Sequence, residues 1–261
     1  MKIKHIYITN FSSLVKNPSI LSISRLELRL TLFKRTLFSI EQQMNSHGHV
    51  VIINKNIPDV ILNELKNLNI HLFIIENRTY RNFYQGISKF IIDTFDITLE
   101  TCDLLITTRI DDDDLLFKYS NKTIQITAME NINRGITIIG FDYGCLQNYP
   151  KHEYSNFICK HRFGFISVGL SVAIDFKKYH SQFISHNLHA FHGDHTLIIN
   201  NIGKVMKCKI HSIAIKTKIP CYIYVRHEFN DSKKINIKPT IDKELINKVF
   251  YILENTDMIK I

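Results

Sequence analysis

The stretch CDLLITTRIDDDDLLFK, residues 102–118, decides how the rest of the chain is read. Its first part, residues 102–110, is an apolar run with the composition of a strand, and four aspartates follow it directly. Two aspartates ~6 Å apart repel by about 0.7 kcal/mol in bulk water and by about 3 kcal/mol at an effective dielectric of 20. A bound cation, a helix N-terminus or plain solvent can each offset that repulsion. Only the first implies chemistry.

Upstream, strand-like and helix-like segments alternate. IKHIYIT (3–9), HVVIIN (49–54) and IHLFIIE (70–76) read as strands. RLELRLTLFKRTLFSIEQQ (25–43) sets Leu26, Leu30, Phe33, Leu37 and Ile40 at spacings of three and four, an amphipathic helix. Pro58 opens a short helix through Leu65, and residues 82–96 form another. This order predicts an α/β fold, a Rossmann-like, mostly parallel sheet with helices on both faces. In such sheets ligands bind beyond the carboxyl ends of the strands, near a switch point. The aspartate run sits at such an end.

Downstream the pattern changes to a helix over 119–131 and short strands around GITIIGF, YGCLQNY, NFICKH and FGFISVGLSVAID. A helix over 195–206, a strand at CYIYV (221–225) and a C-terminal helix over 241–254 complete it. No linker divides the chain. The expectation is one domain over 1–261: a nucleotide-binding half at 1–118, a mixed acceptor-side half at 119–240 and a C-terminal helical segment at 241–261.

The 261 residues are 45% hydrophobic and 22% charged, a globular balance that excludes a disordered chain. No apolar run is long enough to predict a transmembrane helix, and the basic N-terminus reads as a first strand, not a signal peptide. Cys102, Cys145, Cys159, Cys208 and Cys221 are scattered without a C-x-x-C pair, which predicts a reducing, cytoplasmic setting and no thiolate zinc site. The net charge of +9 fits an anionic partner, and fits equally the lysine drift of an AT-rich genome.

Three motifs carry candidate chemistry. In R-I-D-D-D-D, Asp111 and Asp113 are two apart and project together, with Asp114 one step onto the following helix. Carboxylates so placed suit Mg²⁺ or Mn²⁺ bridging to phosphates, or Asp114 caps the helix. Asp112 alternates away and is expected to tolerate substitution. In FHGDHTLIINNIGKV (191–205), Gly193 allows a turn and Asp194 starts a helix, as a general base or as an N-cap. YVRHEFNDS (224–232) gathers Arg226, His227, Glu228, Asn230 and Asp231 in one polar turn. The histidines at 180, 186, 189, 192 and 195 match no zinc spacing and read as mostly structural. Phosphate-loop, dinucleotide-binding and nucleophile-elbow signatures are missing, which lowers kinase, dehydrogenase and hydrolase readings.

Taken together, these residues resemble the bacterial rhamnosyltransferase-like glycosyltransferases, within the GT-A class of nucleotide-sugar-dependent enzymes. The resemblance rests on the early helix with Arg25 and LFKRTLFSIEQQ, on TTRIDDDD, and on PCYIYVRHEFNDS, in that order over residues 20–235. It implies that Asp111 and Asp113, assisted by Asp114 and His227, hold Mn²⁺ or Mg²⁺ against a donor diphosphate. Arg109, Arg25 and Arg226 would contact the donor, and Asp194 would stand where inverting GT-A enzymes place their base. Here Gly193 precedes Asp194 where those enzymes often have Glu, and Glu228 replaces a more usual small residue. The implied activity is sugar transfer from a nucleotide-sugar donor to a glycan or lipid-linked acceptor, in bacterial capsule or lipopolysaccharide synthesis. The competing enzyme reading is a metal-dependent nuclease or phosphotransferase using the same acidic cluster. A nucleic-acid partner is not expected, because no recognition helix, zinc finger or RNA-binding strand motif is present. KELINKVFYILEN is amphipathic and either packs on its own domain or touches the inner face of the plasma membrane.

Overall fold

In a computed structural model of the chain, residues 1–11, 22–43, 47–75, 80–148, 157–161, 166–218 and 220–226 are described. The turn carrying His227, the helix expected over 241–254 and the side chain of Arg226 lie outside the described residues. The first half runs β1 (Ile3–Asn10), α1 (Ile23–Glu41), β2 (Gly48–Asn54), α2 (Asp59–Lys66), β3 (His71–Ile75), α3 (Tyr80–Thr94) and β4 (Leu104–Arg109). Then come β5 (Leu115–Leu116), α4 (Ser120–Glu130), β6 (Ile136–Phe141), β7 (Gly144–Asn148), β8 (Phe157–His161), β9 (Leu170–Asp175) and α5 (Phe176–Ser185). A 3-10 turn (His195–Leu197) leads into α6 (Ile198–Met206), followed by β10 (His211–Ile215) and β11 (Tyr222–Arg226).

Among the described residues the main sheet has seven strands in the order β10-β6-β9-β4-β1-β2-β3. Strands β1 to β4 are mutually parallel, and β9 alone runs antiparallel, between β4 and β6. This is the Rossmann-like α/β arrangement that the alternation of strands and helices predicts. The chain leaves β1 toward β2 and β3, then returns to β4 on the other side of β1. The carboxyl ends of β1 and β4 therefore flank the switch point. A second, four-stranded sheet, β5-β11-β7-β8, lies beyond that end.

Period-two alternation explains how the sheet buries both faces. Ile6, Ile8, Val50, Ile52, Leu105 and Val172 pack against Ile87 and Ile91 of α3, Phe183 of α5 and Ile202 of α6. The intervening positions face the other way: Tyr7, Leu104, Ile106 and Ala173 meet Ile40 of α1 and Ile124 and Ala128 of α4, while Val51 and Ile53 meet α1 and α2. Each such side chain, fully buried, contributes about 1.5–3 kcal/mol of transfer free energy. The second face also carries buried polar groups. His5 Nε2 lies 2.6 Å from Thr108 Oγ1, which is 2.7 Å from Ser171 Oγ, and His49 Nε2 is 2.8 Å from Thr9 Oγ1.

Two elements depart from the sequence reading. The residues after Asp114 form strand β5, not a helix, because Leu115 and Leu116 pair antiparallel with Ile223 and Tyr222 of β11. Asp114 therefore starts no helix. Helix α5 and strand β10 were not anticipated. Asp175 caps α5 by accepting from Lys178 N at 3.2 Å, and β10 pairs in parallel with β6. Among the described residues no helix is long and apolar enough to cross a membrane.

Candidate active site

The aspartate run occupies the turn that leaves β4, with Asp114 N donating to Asp111 O at 3.3 Å. Its four side chains alternate in burial: Asp111 and Asp113 are half-buried, Asp112 is 2% exposed and Asp114 is 0% exposed. The turn thus has an outer pair and an inner pair.

The inner pair is spent on the fold. Asp112 forms a bidentate ion pair with Arg29 of α1, with Nε to Oδ2 at 2.7 Å and Nη2 to Oδ1 at 2.5 Å. The expectation that Asp112 tolerates substitution is therefore wrong: alternation does turn it away from Asp111 and Asp113, but into the protein and onto a buried cation. Burial lifts its carboxyl, Arg29 pulls it back, and Asp113 and Asp111 leave it at about 6, an anion at neutral pH. Asp114 accepts Val225 N of β11 through Oδ1 at 2.9 Å. Its Oδ2 is buried without a hydrogen-bond partner. Burial and the charges of Asp113 and Asp111 raise this carboxyl well above its ordinary range. The structure does not bring Asp114 beside Asp111 and Asp113 as a third ligand; it ties the turn to the second sheet.

The outer pair faces the switch point. Burial raises the Asp111 carboxyl, but the Arg109 charge, the Ser167 hydroxyl and His195 outweigh it and hold Asp111 below the ordinary carboxylate range. Arg109 reaches Asp111 Oδ1 from Nε at 3.3 Å and donates from Nη1 to Gly193 O at 3.4 Å. Its guanidinium lies over the Phe191 ring, 4.8 Å from the centroid. Expected as a donor contact, Arg109 is 14% exposed and stands as the bolt between the acidic turn and the loop that bears Asp194. Gly169 closes the site from below: its N–H meets Arg109 O at 3.0 Å. Its φ is +74° and a Cβ there would lie 2.9 Å from Phe141, so only glycine fits.

The loop before α6 has a buried side and an exposed side. On the buried side His189 Nε2 donates to Tyr84 O at 3.1 Å, and the His192 ring stacks on Tyr84 at 5.6 Å between centroids. Gly193, at φ +75°, turns the chain outward. Asp194 then caps the 3-10 turn, its Oδ1 accepting Thr196 N at 2.9 Å and Thr196 Oγ1 at 2.8 Å. Those two donors hold it below its ordinary range, and 59% of its side chain is exposed. Both sequence readings of Asp194 thus remain compatible: it caps, and it presents an anionic carboxylate toward solvent beside the acidic turn. Arg25 lies half-buried on α1, one turn before Arg29.

The sequence reading missed Arg29, Ser167, Phe191 and His195 at this site. His195 was grouped with structural histidines, although it directly follows Asp194; Ser167 sits in a loop with no local signal. Among the described residues no three His, Cys, Asp or Glu side chains converge as metal ligands. The residues fit a narrower requirement: Mg²⁺ and Mn²⁺ shared with phosphates need one or two carboxylates and fill the remaining positions with water and substrate oxygens. Asp111, held ionised, and Asp113, on the same half-buried face, meet it.

No family model matches the chain, and no curated protein matches it in sequence. Solved structures do align with it. The 4-diphosphocytidyl-2C-methyl-D-erythritol synthase of Anaerococcus prevotii is 14% identical, with 96% of each chain covered and a TM-score of 0.42. A cytidylyltransferase from Leptospira borgpetersenii is 11% identical over 99% of this chain and 97% of that one, at 0.45. A proposed nucleotide-diphospho-sugar transferase from Desulfovibrio desulfuricans is 5% identical over 81% and 79%, at 0.40. Likenesses of this size carry no argument about activity.

Proposed function

We propose that the chain is a metal-dependent glycosyltransferase that moves a hexosyl or deoxyhexosyl group from a nucleotide sugar to an acceptor hydroxyl with inversion. The observation that carries this reading is the placement of Asp111 and Asp113, outward-facing at the switch point, with Arg109 joining Asp111 to the loop of Asp194. Asp111 and Asp113 would hold a divalent cation, which would supply the positive charge that a departing nucleoside diphosphate requires. Asp194 takes the proton of the acceptor hydroxyl as its oxygen bonds to the anomeric carbon and the bond to the diphosphate breaks. The anionic state of Asp194 suits a proton acceptor. The Thr196 donors fix one oxygen and leave the other to face the acceptor. A glycan or lipid-linked acceptor of bacterial surface polysaccharide is the substrate class implied by the resemblance of TTRIDDDD and PCYIYVRHEFNDS.

The test is a thermal-shift screen of UDP, GDP, CDP and dTDP and their sugars, with and without Mn²⁺. One nucleoside diphosphate should stabilise the protein only when metal is present, by about 2.7 kcal/mol at a hundredfold excess over Kd. Stabilisation by none of them would overturn the reading.

A further inference from the structure

Helix α1 and the turn that follows it grip the segment after β4 at several points. Arg29 pairs with Asp112, Ser39 Oγ accepts Leu116 N at 3.2 Å, and Gln43 Nε2 donates to Phe117 O at 3.0 Å while its Oε1 accepts Asn121 N at 3.1 Å. Arg29 and Ser39 lie on α1 and Gln43 just past its end, and together they register the chain from 112 to 121 against this helix and its C-terminal turn. At the first contact the register matters most. Burial alternates along this turn, with Asp112 and Asp114 inside and Asp111 and Asp113 half-buried, so holding 112 inward keeps 111 and 113 on the outer side. The bidentate fork also fixes the plane of the Asp112 carboxylate, which an ammonium point charge would not do.

We infer that Arg29 is a positioning residue for the metal and diphosphate site: its fork on Asp112 sets the direction of the Asp111 and Asp113 carboxylates. This rests on the reading of those two residues as metal ligands. Arg29 also neutralises one of the two buried aspartates of the run, while the second accepts Val225 N of β11. With Arg29 removed, the buried Asp112 carboxyl loses the fork that holds it inward, and the turn is free to move it toward the face where Asp111 and Asp113 stand. Groups that orient metal ligands typically change affinity by about 10–100-fold when lost.

Binding of Mn²⁺, alone and with inorganic pyrophosphate, is measured by loss of the free-ion paramagnetic resonance signal for the wild type, Arg29→Lys and Asp112→Asn. Unfolding is followed in parallel. Arg29→Lys keeps the charge and loses the fork; Asp112→Asn keeps the shape and loses the charge, so at least one should fold. The expected result is Mn²⁺ affinity reduced about tenfold in both variants well below their Tm, with the circular dichroism of the wild type. A lower Tm with unchanged Mn²⁺ affinity overturns the inference and leaves Arg29 a packing residue. Failure of the wild type to bind Mn²⁺ in either condition instead overturns the metal-site reading, and this inference with it.

Discussion

Two segments meet at the carboxyl end of the sheet, the turn at 111–114 and the loop at 187–195, and they are anchored by opposite means. The turn is held by charge: an ion pair from Asp112 to α1 and a carboxyl on the β11 backbone. The loop is held by neutral rings: His189 against Tyr84 O, His192 stacked on Tyr84, and Phe191 under Arg109. In both, the buried residues hold and the outward residues face the site. The two should therefore fail differently, the turn when its charges are edited and the loop when its rings gain protons.

The largest effect is expected at the outer face of the turn. Asp113→Ala should reduce sugar transfer by about a thousandfold or more, the scale of losing an electrostatic group at a developing charge, with Tm little changed. A folded Asp113→Ala protein with wild-type turnover in EDTA would remove the metal from the mechanism. Next is the outer face of the loop. Asparagine caps as well as aspartate but cannot accept a proton, so Asp194→Asn isolates the base from the cap. Turnover should fall about 10²–10⁴-fold at constant stability. Unchanged turnover would leave Asp194 a cap alone.

The difference between the segments also explains what the sequence could disclose. The strand-helix alternation and the apolar run before Asp111 are local, so the parallel sheet and its switch point are legible from residues 3–110. Alternation along the run separates Asp111 and Asp113 from Asp112, and the burial of the turn follows that split. What occupies its inner face depends on contacts 83 and 111 residues away, Arg29 on Asp112 and Val225 on Asp114, and no local pattern carries them. Helix α5 was hidden for another reason. Its apolar residues, Phe176, Tyr179, Phe183 and Ile184, are thinned by Lys177, Lys178 and the polar run His180, Ser181 and Gln182, and its cap Asp175 reads equally as the end of a strand.

The loop's anchoring predicts a pH response of known sign. Burial lowers His189 to about 3, with its neighbour His192 adding to the shift, and its partners fix one neutral tautomer: Nε2–H donates to Tyr84 O while Nδ1 accepts Phe191 N at 3.2 Å. A second proton on Nδ1 would face that N–H. With an unfolded value near 6.5, the unfolded state binds the extra proton throughout the window from about 6.5 down to 3. The stabilisation is complete above that window and is lost as pH falls through it, at about 1.4 kcal/mol per pH unit. His5 and His49, also lowered to about 3 by burial, add slopes of the same sign. In urea titrations between pH 6 and 4, His189→Asn should lose about 1.4 kcal/mol per unit of that slope. An unchanged slope would mean that the loop is not held by a neutral ring.

The smallest effect is expected where the sequence pattern would suggest a large one. If all four aspartates served the metal, Asp114→Asn would weaken Mn²⁺ binding as Asp113→Asn does. The geometry argues otherwise: Oδ1 of Asp114 already accepts Val225 N, Oδ2 is buried without a partner, and burial with Asp113 and Asp111 nearby raises the group above its ordinary range. Asparagine keeps the shape without the charge, with its carbonyl oxygen on Val225 N. The substitution should raise stability at pH 7, because asparagine spares the folded state the proton that a raised carboxyl must take up on folding. Mn²⁺ affinity should be unchanged, where Asp113→Asn loses it. A raised carboxyl takes up its proton in the folded state, so Asp114 favours folding as pH falls, opposite in sign to His189. Asp114→Asn should therefore steepen the acid loss of stability that His189→Asn flattens. If Asp114→Asn instead abolished Mn²⁺ binding, the division of the run into outer ligands and inner anchors would fail at its second anchor.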